Sequence, residues 1–295
     1  MSKNNSLSQK KKFFEVRSRL LRSLRTFFYD HDFLEVDTPV RIPSPALEDY
    51  IDAIPAGNQF LRTSPELHMK RLVAAGFEKI FQIGPCFRSG EYGERHRPEF
   101  TMLEWYEAGT DYMGILEFTE EMIKRASFDQ NIRTDYFQQD WAQMTVADAF
   151  QRYSGKDVRE VIKSGEFEET LCFEVEPHLG KDKPLFLIDY PSSMAALSRK
   201  KKSNPELAER WELYIDGVEI ANAYSELTDA TEQRLRFEET ASLRKREGRE
   251  VYSVDEEFLK ALEDGLPDCG GIALGIDRLC MVFSETNDIE RVVFE

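Results

Sequence analysis

Apolar side chains at Phe13, Val16, Leu20, Leu24, Phe27 and Phe28 recur at three- and four-residue steps, which predicts an amphipathic helix over 13–29. Arg17, Arg19, Arg22 and Arg25 fill the intervening positions. A short strand at 33–37 follows and is stopped by Pro39, after which Pro43, Pro45 and Pro55 break the chain into turns. Ser64 is placed to cap a second helix, with Pro65 at its first position and Glu66 in its first turn, running to Gly76. Two strands, Ile80–Phe87 and Phe100–Glu107, flank a charged loop, and a helical stretch covers 113–124. Residues 128–210 read as helices with one buried strand at Leu185–Tyr190. A hairpin over 209–226 turns at Asp216–Gly217, a charged helix occupies 231–249, and a Gly-rich apolar strand at 270–276 leads into a helix from Asp277.

Period-two alternation puts Phe100, Met102, Glu104 and Tyr106 on one face of their strand, and Thr101, Leu103, Trp105 and Glu107 on the other. Two aromatics with a carboxylate suit a pocket for a purine and an amine. Arg88, ending the preceding strand, offers a bidentate fork for a phosphate oxygen. In the hairpin, Tyr214 faces Glu219, so Glu212 and Glu219 share a face and form a carboxylate pair able to hold Mg²⁺. Asn222, Tyr224 and Glu226 share a face of opposite parity. A single bulge near Ile220–Ala221 is needed to unite the two sets. Read singly, each segment also fits a structural role: a solvated hairpin tip, surface ion pairs, a Gly-rich core strand.

Charge narrows the partners. Lys and Arg number 39 against 55 Asp and Glu, a net charge of −16, which disfavours general nucleic-acid binding and suits a basic protein partner. No apolar run approaches the roughly 18 residues of a membrane span, and four widely spaced cysteines without CxxC pairs fit a reducing cytoplasm. The P-loop, GxGxxG, HExxH and GxSxG patterns are absent. Nucleotide chemistry must then come from arginines and carboxylates on strands.

Taken in order, five segments resemble a class II aminoacyl-tRNA synthetase of the lysyl type. They are Val36-Asp37-Thr38-Pro39 after the first helix, Ser64-Pro65-Glu66-Leu67, the run 87–106 (FRSGEYGERHRPEFTMLEWY), the run 219–227 (EIANAYSEL) and the run 271–279 (GIALGIDRL). The resemblance implies an α+β catalytic fold, an antiparallel sheet flanked by helices, over residues 13–295 behind a flexible basic tail at 1–12. No room is left for an anticodon-binding domain. That arrangement is similar to the family's stand-alone paralogue, which ligates β-lysine to a lysine side chain of elongation factor P. Ala273, where tRNA-charging members carry glycine, points the same way.

The resemblance implies residue roles as well. Arg88 and Arg278 are the catalytic arginines. ATP is expected to lie against Arg88, Ser89, Gly90, Glu91, His96, Arg97, Phe100, Glu219, Ile220, Gly275 and Arg278, with Mg²⁺ on Glu212 and Glu219. Lysine or β-lysine is expected among Ser64, Glu66, Glu104, Tyr106, Asn222, Glu226 and Ala273. The chain departs from the family pattern in carrying Ser89-Gly90 inside the expected Arg-Asn-Glu run, so Glu91 either takes over the adenine contact or that contact is lost. A second departure is Arg97, which replaces an expected asparagine. The implied partners are elongation factor P and a second copy of the chain, with no membrane and no stable tRNA complex. Two alternatives remain: a truncated lysyl-tRNA synthetase, and a catalytically silent amino-acid sensor.

Overall fold

One eight-stranded sheet organises the computed structural model, which describes residues 3–294. Its strands are β1 (Leu34–Glu35), β2 (Lys79–Phe87), β3 (Glu99–Ala108), β4 (Ala142–Thr145), β5 (Leu185–Ile188), β6 (Arg210–Ile215), β7 (Val218–Ser225) and β8 (Cys269–Gly275). They lie in the order β1-β2-β3-β8-β7-β6-β5-β4. The six central strands pair antiparallel, and the edge pairs β1–β2 and β4–β5 are parallel. The architecture is α+β, with a mixed rather than purely antiparallel sheet.

The two faces of the sheet divide structure from chemistry. Leu103 and Trp105 of β3, Phe81 of β2, and Ile272 and Leu274 of β8 are buried together with Leu20, Leu24, Phe27 and Phe28 of helix α1 (Lys3–Asp30). Helix α3 (Tyr112–Gln130) adds Ile115, Leu116, Met122 and Ile123 to the same core. The opposite face is walled by α2 (Glu66–Ala74), α4 (Ala230–Arg246) and α5 (Glu256–Gly265), which enclose Leu67, Val73, Tyr106, Phe237 and Phe258. Helix α6 (Ile276–Phe283) leaves β8 directly at the sheet's C-terminal end.

Helix α1 starts earlier than the periodicity predicts. Residues 3–12, read from sequence as a flexible tail, extend the helix, and Lys10 Nζ donates to the Val293 carbonyl at 3.3 Å. Met1 and Ser2 lie outside the described residues. Lysine and glutamine are good helix formers, so a polar segment continues an established helix at little cost. Arg17 of α1 reaches through to the Asp277 carboxylate, which also accepts the Thr101 N–H at 2.8 Å. The first helix thus fixes the start of α6.

Candidate active site

The predicted hairpin bulge is present and sets the site. Asp216 and Gly217 both have positive φ, 56° and 75°, as a two-residue hairpin turn requires. Tyr214 pairs with Glu219, yet Leu213 pairs with Ala221, so Ile220 is the extra residue. That one-residue slip brings Glu219 onto the face shared by Glu212 and Asn222. A lateral row then crosses five strands: Gln82, Glu104, Ala273, Asn222 and Glu212 lie side by side. A neighbouring row runs Ile80, Tyr106, Gly271, Tyr224, Arg210.

Above these rows lies a cavity of about 590 Å³. Arg88, Glu91, His96, Arg97, Phe100, Glu212, Glu219, Ile220, Asn222, Ala273, Gly275 and Arg278, all named from sequence, line it. Arg88 lies over the Phe100 ring, 5.1 Å from its centroid, and its nearest carboxylate is Glu91 at 3.8 Å. The Arg88 Nε is buried without a partner. A buried donor left open is costly unless something occupies it, so this guanidinium is prepared for an anion. A Cβ on Gly275 would meet nothing nearer than the Arg278 side chain at 3.8 Å, so the glycine leaves the cavity open beside that arginine.

Arg278 is already engaged. It donates to the Glu219 carbonyl at 2.9 Å and carboxylate at 3.0 Å, and meets His96 Nε2 at 2.6 Å. Burial and the adjacent Arg278 charge both lower the His96 pKa, so the neutral ring accepts this bond at neutral pH. Arg97 turns to the rim, where it reaches Glu290 at 2.9 Å and the Gly93 and His96 carbonyls. Ser89 and Gly90 lie outside the cavity wall; the Ser89 N–H donates to the Asp52 carbonyl at 2.7 Å, and Gly90 turns the loop at φ 79°.

Glu212 is held from three sides, by Arg210 at 2.6 Å and by the hydroxyls of Tyr190 and Tyr214. Tyr214 also lies 3.0 Å from Glu176. Burial and then the Glu219 charge push Glu176 up to about 7, a sign of concentrated negative charge that a cation would relieve. Among the described residues no group of three side chains is arranged to hold a metal. Two carboxylates nevertheless fit Mg²⁺, whose remaining positions go to phosphate oxygens and water. Glu212 and Glu219 are the side chains that would hold it.

The carboxylates expected to meet the amino acid sit deeper, outside the cavity wall, with an unforeseen companion. Lys70, one helical turn after Glu66 on α2, is 1% exposed and places its ammonium 2.5 Å from both Glu66 and Glu226. Burial alone would depress this ammonium, but Glu226 and Glu66 outweigh it and raise its pKa. Two carboxylates share one positive charge, and the desolvation falls on the fully buried Glu226, whose pKa rises. Glu104 is raised well above the usual carboxylate range, by burial and by Glu66, although the Tyr106 hydroxyl donates to it at 3.1 Å. Its Oε1 and the Asn222 Oδ1 are buried without partners. Gly271 permits this convergence, because a Cβ there would lie 2.2 Å from Glu226 Oε1 and 2.3 Å from the Tyr106 ring. Ser64 serves the backbone, accepting the Glu66 N–H at 3.1 Å.

Sequence reasoning missed Lys70, Arg210 and Glu176. The i,i+4 spacing of Glu66 and Lys70 was visible, but such pairs ordinarily mark exposed helix surface.

Comparison with known proteins agrees with this geometry. Residues 4–294 match the family of class II tRNA synthetases (D, K and N). The chain is 35% identical to a lysine–tRNA ligase of Magnetococcus marinus and 36% identical to one of Clostridium perfringens, over 96% and 95% of its own length. It spans 63% of the length of each of those two relatives. It is 37% identical to an elongation factor P–(R)-β-lysine ligase of Proteus mirabilis, over 94% of this chain and 92% of that protein.

Proposed function

The chain belongs to the class II tRNA synthetases, and from that premise we propose that it activates lysine or β-lysine with ATP and transfers the aminoacyl group to a lysine of elongation factor P. The observation that carries the reading is the open Arg88 fork and Arg278 on one cavity whose floor is Ala273, Asn222 and Glu212 of the lateral row, with Glu104 next in that row and deeper.

The amino acid's carboxylate attacks the α-phosphorus of ATP, pyrophosphate departs, and an acyl adenylate remains. Arg88 aligns the two anions and stabilises the charge that develops between them. Phe100 offers its ring to adenine, and Arg278 meets the phosphate tail once it leaves Glu219. Glu212 and Glu219 would hold Mg²⁺, which when bound would supply charge neutralisation of the triphosphate. Asn222 and Glu104, with unsatisfied oxygens, accept from the substrate's ammonium groups. The acceptor's ε-amine then attacks the acyl carbonyl, forming an amide and releasing AMP.

A protein acceptor is favoured over tRNA by the use of the basic run 199–202. Arg199 is paired with Glu209 and Asp268, Lys200 with Glu232, and Lys201 with Asp189. Little positive charge is left there for a phosphate backbone. A cytoplasmic location accords with that substrate, and among the described residues no helix is long and apolar enough to cross a membrane. We place a dimer contact at α1 and β1, where Tyr29 and Leu34 are about half exposed.

Enzyme, ATP and each lysine isomer, incubated with elongation factor P or with tRNA, are expected to shift the intact mass of the protein and to leave tRNA uncharged on an acid gel. Charged tRNA with unmodified protein would assign the second acceptor instead. The Ala273 methyl sits between Glu104 and Asn222 in the floor row, so Ala273→Gly is expected to raise the α-lysine to β-lysine ratio of kcat/KM about tenfold. An unchanged ratio removes the methyl from the account of isomer choice.

A further inference from the structure

The sheet runs out beneath one end of the cavity. β8 makes its last pair with β3 at Gly275 and Met102, whereas β2 goes on pairing with β3 through Thr101, Phe100 and Glu99. Those three residues have a strand on one side only. The floor row differs, because Glu104 lies between Gln82 of β2 and Ala273 of β8 and is laced on both sides. Phe100 therefore needs a support other than a strand if its ring is to be a fixed platform, and the backbone beside it needs a partner.

Side chains take the place of the missing strand. Asp277, buried in the first turn of α6, accepts the Thr101 N–H at 2.8 Å. A buried carboxylate needs a countercharge. It comes from Arg17 of α1, 260 positions away in the chain. One terminal nitrogen of that guanidinium pairs with the Asp277 carboxylate, and the other donates to the Thr101 hydroxyl at 2.7 Å. Among the described residues Asp277 has no other ion pair. Thr101 and Asp277 lie on the cavity wall, but Arg17 does not. A single planar group thus ties the residue after Phe100 to the residue before Arg278.

We propose that Arg17 is a positioning residue for the nucleotide: it fixes Phe100 and Arg278 relative to each other and so sets the affinity for ATP without touching it. This rests on the ATP-dependent reading above. Without the fork, Asp277 is left buried and uncompensated, and Thr101 loses the donor to its hydroxyl and the ionised acceptor of its N–H. The start of β3 and the start of α6 are then free to part. The floor row keeps its ladders on both sides, so the loss falls on the nucleotide and spares the amino acid. A lysine at position 17 keeps a charge for Asp277 but cannot span both partners with one planar group.

The test reads nucleotide binding and pyrophosphate exchange in wild type, Arg17→Met, Arg17→Lys and Thr101→Val. Calorimetry with α,β-methylene-ATP and Mg²⁺ is expected to show binding at least tenfold weaker in Arg17→Met, as a small misplacement of a binding platform produces. KM for ATP should rise by the same factor, with KM for the amino acid within twofold of wild type. Arg17→Lys is expected to recover part of the loss, and Thr101→Val, which removes only the hydroxyl, to lose about threefold. A merely structural tie lowers the melting temperature and leaves both constants of the folded enzyme at wild-type values; that result overturns the proposal, as does an equal rise in both KM values. Should Arg17→Met fail to fold, wild-type nucleotide affinity in both Arg17→Lys and Thr101→Val overturns it. Wild type that binds the analogue but exchanges with no diamino acid overturns the parent reading alone, since calorimetry still decides the role of Arg17. Wild type that does not bind the analogue overturns both.

Discussion

Arg88→Ala is expected to lower ATP–pyrophosphate exchange about a thousandfold, on the order of 4 kcal/mol of transition-state stabilisation. Removing one well-placed donor to a developing anion costs roughly a hundred- to a thousandfold, and the guanidinium brings a fork of them. Thermal stability should barely change. The side chain has only a distant contact with Glu91, a ring beneath it and an Nε with no partner among the described residues. Arg88→Lys retains charge without the planar fork and should sit between the two, about ten- to a hundredfold below wild type. The pair of rates, read beside the melting temperature, separates a catalytic role from a structural one. Exchange within tenfold of wild type in the alanine variant would sink the assignment.

The fold's central strands were legible because each carries a period that only one arrangement satisfies. In β3 the alternation of Glu104 and Tyr106 with Leu103 and Trp105 separates two faces, and Leu103 and Trp105 pack on α1 and α3 while Tyr106 packs on the opposite side. In the hairpin, the parity conflict between Glu219 and Asn222 demanded an irregularity, found at Ile220. Local pattern failed where partners are distant. The short β4 pairs in parallel with β5 some forty residues later, and nothing within Ala142–Thr145 announces that neighbour. Residues 3–12 lack an apolar stripe, so periodicity could not report their helix.

The site divides in the same way. Phe100, Glu212, Glu219, Asn222 and Ala273 line one cavity because register carries one strand to the next, while Ser89 and Gly90 belong to a loop whose path depends on Asp52. Lys70 was hidden by its ordinary spacing. What converts a routine helical pair into a buried charge cluster is Glu226, which arrives from the end of β7 and is 156 positions away.

That cluster gives the largest expected effect on stability. Lys70→Met keeps an unbranched side chain one atom shorter and removes the cation between Glu66 and Glu226. Deleting one member of a buried ion pair costs about 3–5 kcal/mol, because the other is left charged and desolvated. The cost must depend on pH, with a definite sign. Glu226 has a folded pKa above its unfolded value, since burial opposes ionisation and Lys70 alone among its neighbours offsets this. Such a group contributes fully to stability below the unfolded pKa of about 4.3, and the contribution is lost as pH rises through the folded value. Without Lys70 the folded pKa moves higher still, so the loss continues further up the scale. Urea unfolding of wild type and Lys70→Met should therefore differ by about 3–5 kcal/mol at pH 8 and by appreciably less at pH 5, with unchanged m-values. Equal differences at both pH values would show that lost packing, rather than an uncompensated carboxylate, sets the cost.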